Sequence, residues 1–317
     1  MARKKMILDL DTGIDDTLAI AYALGSPEVD LIGITGTYGN VTVSQGVAND
    51  LKILDVFGRP DIPVFVGKGH AVAKDSFEVL PISAFIHGAN GIGEVELPEV
   101  SAQPAPQGAV DFLVDAVREH GEDLVIVATG PMTNLAHALR QDPEFARRAN
   151  IVIMGGALTA PGNVNAWTEA NISQDPEAAD ELFRSGARVT MVGLDVTLQT
   201  LLTYAHTKRW RQLGTPAGDF LADATDYYIK AYEETAPHLG GCGLHDPLAV
   251  AVAIDPSLIT ALPLRLKVDL EGPTRGRTIG DETRLSEREQ CPTRAAVMVE
   301  TERFVDEFMR RITDMAS

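Results

Sequence analysis

Residues 6–16 of the chain read MILDLDTGIDD. The apolar run at 6–8 predicts a buried strand, and the apolar-periodic segment that begins at Asp15-Asp16 predicts a helix ending at Gly25. Because side chains alternate along an extended chain, Asp9 and Asp11 are expected to lie on the same side of it. One strand-to-helix turn therefore carries four carboxylates, those of Asp9, Asp11, Asp15 and Asp16.

The four carboxylates of this turn repel one another at neutral pH. Either some of them stay protonated or a cation lies among them. Hard oxygen ligands suit Ca²⁺ or Mg²⁺ better than a soft metal. A single Asp at a helix start is an ordinary N-cap, but four in eight residues predict a metal or acid–base site. The turn is not an EF-hand loop, which counted from Asp9 requires Gly and Glu where the chain has Ile14 and Ile20.

Composition limits the classes of partner. The chain has 317 residues, of which 45% are hydrophobic and 23% charged, as in ordinary globular proteins. Its formal net charge of −18 argues against a nucleic-acid or anionic-membrane partner. No apolar run approaches the ~20 residues of a membrane span, and the N-terminus does not resemble a signal peptide. Cys242 and Cys291 fit no disulfide framework or zinc spacing, which predicts a reducing cytoplasm.

The rest of the chain alternates predicted strands and helices. Further strands are predicted at 31–34, 62–66, 124–127, 151–154, 189–194, 264–268, 278–280 and 295–299. Further helices are predicted at 43–57, 109–120, 134–140, 176–185, 246–254 and 302–315, with others between 204 and 232. Residues 75–106 are predicted as a long loop. The alternation predicts one α/β domain over 1–317, an open, mostly parallel sheet flanked by helices.

Polar residues follow several of the predicted strands. In open α/β sheets, ligands bind outside the carboxyl ends of the strands. Each residue has an ordinary alternative: Asn40 suits a turn, Asp246 before Pro247 suits a helix N-cap, and a lone His is usually a hydrogen-bond partner. Together they predict a site for a polyhydroxylated ligand beside a hard cation. They are Asp9, Asp11, Asn40, Thr129, Gly155, Asn163, Glu169, Asn171, His245 and Asp246.

Over nearly its whole length, the chain resembles the calcium-dependent nucleoside hydrolases, the inosine–uridine-preferring family. The resemblance is carried by DxDxGxDD at 9–16, Gly39-Asn40, ATGPMTN at 128–134, MGG at 154–156, Asn163, EAN at 169–171 and HDP at 245–247. It implies an open, mostly parallel α/β sheet and hydrolysis of ribonucleosides to ribose and free base. It also implies Ca²⁺ as cofactor and a homodimer or homotetramer.

The resemblance further implies a role for individual residues. Ca²⁺ would be held by side chains of Asp11, Asp16 and Asp246 and by the carbonyl of Thr129. The ribose would be held by Asp15, Asn40, Asn163, Glu169 and Asn171, with Met154 near the 5′ end. Asp11 would take a proton from a Ca²⁺-bound water, and the anionic ring would stabilise an oxocarbenium-like sugar.

The group that protonates the departing base is the least determined. His245 is the leading candidate because imidazole carries a proton near neutrality. His87 lies in a loop that can close over the site, with an ordinary surface histidine as the alternative. Tyr228, Tyr232 and His238 can face the base, but core packing explains the tyrosines equally well.

Two departures from the family pattern concern substrate preference rather than reaction class. Thr12 stands where proline is common, and Trp167 where another aromatic is common. We expect broad, inosine/uridine-type specificity in nucleoside salvage, with related ribosyl compounds as an alternative.

Two other functions compete with this interpretation. Asp9-Leu10-Asp11 also suggests a haloacid-dehalogenase-type phosphatase, but that family expects Gly then Thr where the chain has Thr12-Gly13. A Ca²⁺-dependent nucleoside-binding protein on the same fold is the second alternative, against which the retention of Asp11 and His245 argues.

Overall fold

The computed structural model describes residues 3–281 and 291–317. Its strands are β1 (Lys4–Leu10), β2 (Val29–Gly36), β3 (Val64–Val66), β4 (Leu124–Ala128), β5 (Asn150–Met154), β6 (Arg188–Val192), β7 (Leu201–Leu202), β8 (Cys242–Gly243), β9 (Ile259–Pro263), β10 (Leu266–Val268), β11 (Thr278–Gly280) and β12 (Thr293–Val299). Eight of them form one sheet in the order β3-β2-β1-β4-β5-β6-β12-β9. All neighbours in it pair in parallel except β9, which pairs antiparallel with β12.

Helices cover both faces of this sheet. They are α1 (Ile14–Leu24), α2 (Val43–Val56), α3 (Pro81–His87), α4 (Ala109–His120), α5 (Thr133–Gln141), α6 (Phe145–Arg148), α7 (Ala170–Gln174), α8 (Pro176–Arg184), α9 (Leu194–Thr197), α10 (Tyr204–Arg211), α11 (Pro216–Thr235), α12 (His245–Ile254) and α13 (Thr301–Ala316). None of the helices in the described ranges is both long and apolar enough to cross a bilayer.

Strand β1 shows how the sequence builds a sheet that is buried on both faces. Its side chains at Met6, Leu8 and Leu10 belong to one hydrophobic core, whereas Ile7 belongs to the core on the opposite face. Because successive side chains point to opposite faces of the sheet, one unbroken apolar run packs into two different cores. The fold class and the first strand and helix predicted from 6–24 are confirmed.

Two predictions about the remaining chain need correction. The long loop predicted at 75–106 contains α3, which begins with a proline at its first position. This helix has seven residues, which is too short a run for its apolar spacing at Ile82, Phe85 and Ile86 to mark a helix among the surrounding polar residues. The antiparallel strand β9 was not predicted, because its residues are partly exposed at the sheet edge and it ends in Pro263. The assignment of 1–317 to one domain stays a prediction.

The topology brings distant segments to one edge of the sheet. β1, β4 and β5 are neighbours and parallel, so their carboxyl ends meet there. Helices α1 and α12 begin at this edge and pack against each other. The acidic turn after β1 therefore lies beside His245-Asp246 at the start of α12.

Candidate active site

Asp11 lies just beyond β1 and is fully buried. Asn40 donates to it twice, from its backbone N–H to Oδ2 at 2.8 Å and from its Nδ2 to Oδ1 at 3.2 Å. A Cβ on Gly39, which has a φ of 158°, would lie 1.9 Å from Asp11 Oδ2. The glycine is therefore required for the close approach of the β2–α2 loop to this carboxylate.

Asp16 lies in the first turn of α1 and links that turn to the end of β4. It accepts hydrogen bonds from the backbone N–H of Gly13 at 2.7 Å and from the Thr129 hydroxyl at 2.7 Å. The Nδ2 of Asn40 lies 3.4 Å from Asp16, and thus also joins it to Asp11. One amide therefore bridges two of the predicted metal ligands.

Asp15, Asp16 and Asp246 form a carboxylate cluster. One oxygen from each lies within 4.8 Å of the others, all three residues are buried, and no other group of this kind is found in residues 3–281 and 291–317.

Burial raises the pKa of Asp15 and of Asp16 to about 6, and the charge of Asp15 adds to the effect on Asp16. Burial, then the charges of Asp15 and Asp16, raises the pKa of Asp246 well above its usual range. Burial and the neighbouring charges of Asp16 and Asp15 do the same for Asp11.

This cluster fits a hard divalent cation. Buried carboxylates that repel one another are stabilised in their charged form by a cation. The Oδ1 atom of Asp15 is buried without a hydrogen-bond partner, as expected of an oxygen that faces a ligand. The set contains oxygen donors only, which disfavours zinc.

Asn171 fixes the carbonyl that was predicted as a fourth metal ligand. Its Nδ2 donates to the Thr129 carbonyl at 2.6 Å and to the Met154 carbonyl at 3.1 Å. Asn171 therefore clamps the ends of β4 and β5 together at this carbonyl.

Glu169 lies at the start of α7 and is buried. Its carboxylate accepts from the backbone N–H groups of Gly156 at 2.9 Å, Asn171 at 2.8 Å and Ile172 at 3.1 Å. Burial raises its pKa, although these donors act in the opposite direction. Asn163, by contrast, is exposed, and its Oδ1 accepts from the backbone N–H of Ala170 at 3.0 Å. Both residues lie on the loop 155–169: Glu169 is buried at its end, and Asn163 is exposed on its surface.

His245 is buried and held on both sides. Its Nε2 lies 2.6 Å from the Tyr232 hydroxyl and its Nδ1 lies 2.7 Å from the Thr197 hydroxyl. Burial lowers the pKa of His245 to about 4, with a smaller contribution from His87. The ring is therefore neutral near pH 7, which differs from the expectation that it carries a proton there.

His87 is also buried, so the alternative of an ordinary surface histidine is wrong. Its Nδ1 accepts from the backbone N–H of Ile14 at 3.1 Å, and its ring centroid lies 5.3 Å from that of Tyr228. The Tyr228 hydroxyl donates to Asp15 at 3.3 Å. Burial lowers the pKa of His87 to about 4. His87, Tyr228 and Tyr232 thus border the acidic cluster, whereas His238 is exposed.

Comparison with known proteins identifies the family. The sequence model of the inosine-uridine preferring nucleoside hydrolases matches residues 6–306. The chain belongs to this family. It is 40% identical over 278 residues to the probable uridine nucleosidase 2 of Arabidopsis thaliana, covering 87% of this chain and 85% of that protein. It is 38% identical to the pyrimidine-specific ribonucleoside hydrolase RihA of Citrobacter koseri, covering 98% of this chain and 99% of that protein.

A solved structure agrees with this assignment. The purine-preferring ribonucleoside hydrolase from Gardnerella vaginalis superposes with a TM-score of 0.97 at 66% identity, covering 99% of each chain. This nucleoside hydrolase is therefore an N-glycosidase that cleaves the bond between ribose and base in small-molecule ribonucleosides. The family is metal-dependent, in agreement with the carboxylate cluster. The comparisons give no support to the phosphatase alternative.

Sequence reasoning does not find the residue that contacts Nδ1 of His245. Thr197 contacts His245 from a helix of four residues, and no motif in the sequence marks it. The sequence alone does not place Tyr228 and Tyr232 beside the site, because a buried tyrosine in a helix has the same pattern whether it faces a core or a site.

Proposed function

We propose that this nucleoside hydrolase uses Ca²⁺, held by the side chains of Asp11, Asp16 and Asp246 and by the Thr129 carbonyl. Support comes from the buried carboxylate cluster, which contains two of these ligands, Asp16 and Asp246, while Asn40 joins Asp11 to Asp16. Several protein carboxylates around one ion are typical of Ca²⁺, whereas Mg²⁺ usually keeps more waters. When bound, the ion supplies Lewis-acid chemistry and orientation for a water and for the sugar hydroxyls. Asp15, which belongs to the same cluster and has one buried oxygen without a hydrogen-bond partner, is proposed to bind the ribose.

Asp11 is proposed as the general base. Two hydrogen bonds from Asn40 fix the orientation of its carboxylate. In the metal-free protein, burial and the charges of Asp16 and Asp15 raise its pKa, and a cation beside it would keep the carboxylate deprotonated and able to accept a proton. It can therefore accept a proton from the attacking water.

The ribose is proposed to lie against Asp15, Asn40, Met154, Asn163, Glu169 and Asn171. Carboxylate and amide oxygens beneath the sugar stabilise the positive charge that develops as the glycosidic bond breaks. Glu169 and Asn171 are held in place by backbone groups, which preserves their orientation before the substrate arrives.

Stabilisation of the departing base is proposed to come from His245 and Tyr232, whose Nε2 and hydroxyl share a hydrogen bond. Because the ring is neutral near pH 7, this pair would offer the base a hydrogen bond rather than a proton from an imidazolium. His87 accepts the Ile14 N–H at Nδ1, so the proton of its neutral ring lies on Nε2. His87 thereby offers a hydrogen-bond donor to a bound ligand.

Purine ribonucleosides are proposed as the preferred substrates. This rests on 66% identity with the purine-preferring enzyme, against 38% with the pyrimidine-specific one. The test is a panel of inosine, adenosine, uridine and cytidine, with release of ribose as the readout. A kcat/KM higher for inosine than for uridine supports the proposal, and the reverse order overturns it. Hydrolysis of none of them, with turnover of another ribosyl compound, would favour the related-ribosyl alternative, and binding without turnover the nucleoside-binding alternative.

A homodimer or homotetramer is also proposed, on the resemblance to the family. A cytoplasmic location is proposed because the buried Cys242 is not part of a disulfide. Light scattering during gel filtration gives the mass of the assembly. A monomer at micromolar concentration would overturn the oligomer proposal.

A further inference from the structure

Two side chains of the short helix α9 contact two different parts of the candidate site. The Thr197 hydroxyl lies 2.7 Å from Nδ1 of His245. Two residues earlier, the Asp195 carboxylate accepts from the backbone of segment 158–160. We propose that α9 is a shared platform, on which Asp195 positions the ribose-side loop 155–169 and Thr197 positions the imidazole on the leaving-group side. The inference rests on the proposed function, since it assigns the two sides of the site as that proposal does.

Asp195 binds the first part of loop 155–169 with both of its oxygens. It accepts from the N–H groups of Leu158 at 2.8 Å, Thr159 at 2.7 Å and Ala160 at 3.1 Å, and from the Thr159 hydroxyl at 2.6 Å. Hydrogen bonds to a charged acceptor are stronger than neutral ones. A neutral amide in this position would present an N–H group to at least one of these donors, and would therefore release the segment.

A backbone path also joins α9 to Glu169. The N–H of Leu194 donates to the carbonyl of Gly156 at 2.9 Å, and the N–H of Gly156 donates to Glu169 at 2.9 Å. Glu169 in turn accepts from the backbone of Asn171. Because Gly156 lies two residues before segment 158–160, movement of that segment would displace Gly156 and, through it, Glu169, which is proposed to bind the ribose.

Thr197 is fully buried and completes the fixation of His245. The ring has Tyr232 at one nitrogen and Thr197 at the other, so both nitrogens are bonded in one orientation. Removing the Thr197 hydroxyl leaves Nδ1 buried without a partner and removes one of the two restraints on the ring. Because Thr197 and Asp195 act through other residues, they are positioning residues rather than catalytic ones.

The two roles predict different kinetic signatures. Displacement of the ribose-side loop 155–169 weakens the binding of every substrate that carries ribose, whatever its leaving group. A displaced imidazole slows only those substrates whose leaving group needs a proton or a hydrogen bond. An activated aryl riboside, such as p-nitrophenyl riboside, needs neither. A general loss of protein stability would lower the activity on nucleosides and on the aryl riboside by the same factor.

The experiment measures kcat and KM of the Ca²⁺-loaded enzyme for inosine, uridine and p-nitrophenyl riboside. Asp195→Asn is expected to raise KM about tenfold for all three, the equivalent of one lost charge-assisted hydrogen bond. Thr197→Val is expected to lower kcat about tenfold for inosine and uridine and to change it less than about twofold for the aryl riboside, whereas Thr197→Ser keeps nearly wild-type values.

The matched control is Asp255→Asn. Asp255 also accepts from a backbone N–H and a hydroxyl, both of Ser257, but it lies at the opposite end of α12 from His245. It is expected to leave all constants unchanged. If Asp195→Asn does not fold, Thr159→Ala removes one donor to the same carboxylate and is expected to raise KM about threefold for all three substrates.

Several outcomes overturn the inference. An unchanged KM in a folded Asp195→Asn or Thr159→Ala variant removes the role of Asp195. Equal losses on the nucleosides and the aryl riboside in Thr197→Val, or the same loss in Thr197→Ser, remove the role of Thr197. Failure of the proposed function looks different: the wild-type enzyme then releases no ribose, or His245→Ala loses equally on nucleosides and aryl riboside.

Discussion

Asp11 is the residue on which the proposed chemistry most depends. It is fully buried, yet Asn40 holds both of its oxygens and Gly39 leaves the space in which they meet. Asp11→Asn keeps the shape of the side chain but removes both its basicity and a charge proposed to hold Ca²⁺, so kcat is measured at saturating Ca²⁺ to separate the two roles.

Asp11→Asn is expected to lower kcat for inosine by about 10²–10⁴-fold, the usual contribution of a general base. Circular dichroism should confirm the fold, and Asp61→Asn at the exposed surface serves as control. Activity within a few-fold of wild type would exclude Asp11 as the base.

Asn171 combines a predicted ribose contact with a structural one. Its amide holds the Thr129 carbonyl at 2.6 Å, a bond that Ala cannot make. Asn171→Ala is expected to lower kcat/KM for ribonucleosides about tenfold or more, since a buried carbonyl loses its donor. It is also expected to raise the Kd for Ca²⁺ measured by calorimetry. An unchanged kcat/KM would separate Asn171 from the sugar, and an unchanged Kd would separate the Thr129 carbonyl from the metal.

For individual residues, the sequence predicts which side chains are candidates for the site better than it predicts their protonation states. Asp11, Asp16 and Asp246 could be found because acidic residues follow predicted strands or begin predicted helices. The neutral state of His245 could not, because it results from burial. Its contacts Thr197 and Tyr232 lie 48 and 13 residues away in sequence.

Among the elements, regular ones were predicted well and irregular ones were not. Helix α4 has the limits predicted from its apolar period, Ala109–His120. Helix α3 is not predicted because its seven residues are too few to show an apolar period, and β9 because an edge strand with partly exposed residues has no buried period. The omission of α3 matters for the site, because His87 is its last residue.

Helix α13 offers a prediction about stability that does not involve the site. Arg310 and Arg311 donate to Glu307, and Arg311 also pairs with Glu28 beside α1. The Arg310 hydrogen bond, followed by that of Arg311, lowers the pKa of Glu307 to about 2. Because this pKa is depressed on folding, its stabilisation is present above the unfolded value of about 4.5 and is lost as pH falls towards about 2.

Glu307→Gln is therefore expected to lower the melting temperature at pH 7 and to have a smaller effect at pH 3. The loss should be modest, under about 1 kcal/mol, because the side chain is one-third exposed and water screens the pairs. Thermal melts of both proteins at the two pH values measure it, with Glu302→Gln in the exposed first turn as control. A larger effect at pH 3 than at pH 7 would contradict the assignment.

For the whole molecule, cation binding and stability are expected to be linked through pH. Folding raises the pKa of Asp15 and Asp16 to about 6, so the metal-free folded protein retains protons that the unfolded chain releases near pH 4. Its stability therefore falls as pH rises from about 4 through about 6. Ca²⁺ needs the proposed ligand Asp16 deprotonated, and the negative charge of neighbouring Asp15 also favours a cation, so its binding strengthens over the same interval.

The rise in melting temperature produced by a fixed Ca²⁺ concentration is thus expected to be small at pH 5 and larger at pH 7. Thermal melts with and without Ca²⁺ give this difference directly, and Asp246→Asn should reduce it at pH 7. A difference that is independent of pH, or largest at pH 5, would contradict the proposed ligand set.

The central claim is that the buried carboxylate cluster holds the cation on which ribonucleoside hydrolysis depends. Its most direct test is the rate of ribose release from inosine by metal-stripped protein as Ca²⁺ is titrated back. We expect almost no release in excess chelator and a saturable recovery with Ca²⁺, at a higher concentration for Asp246→Asn than for wild type. Full activity in the presence of the chelator would contradict the account.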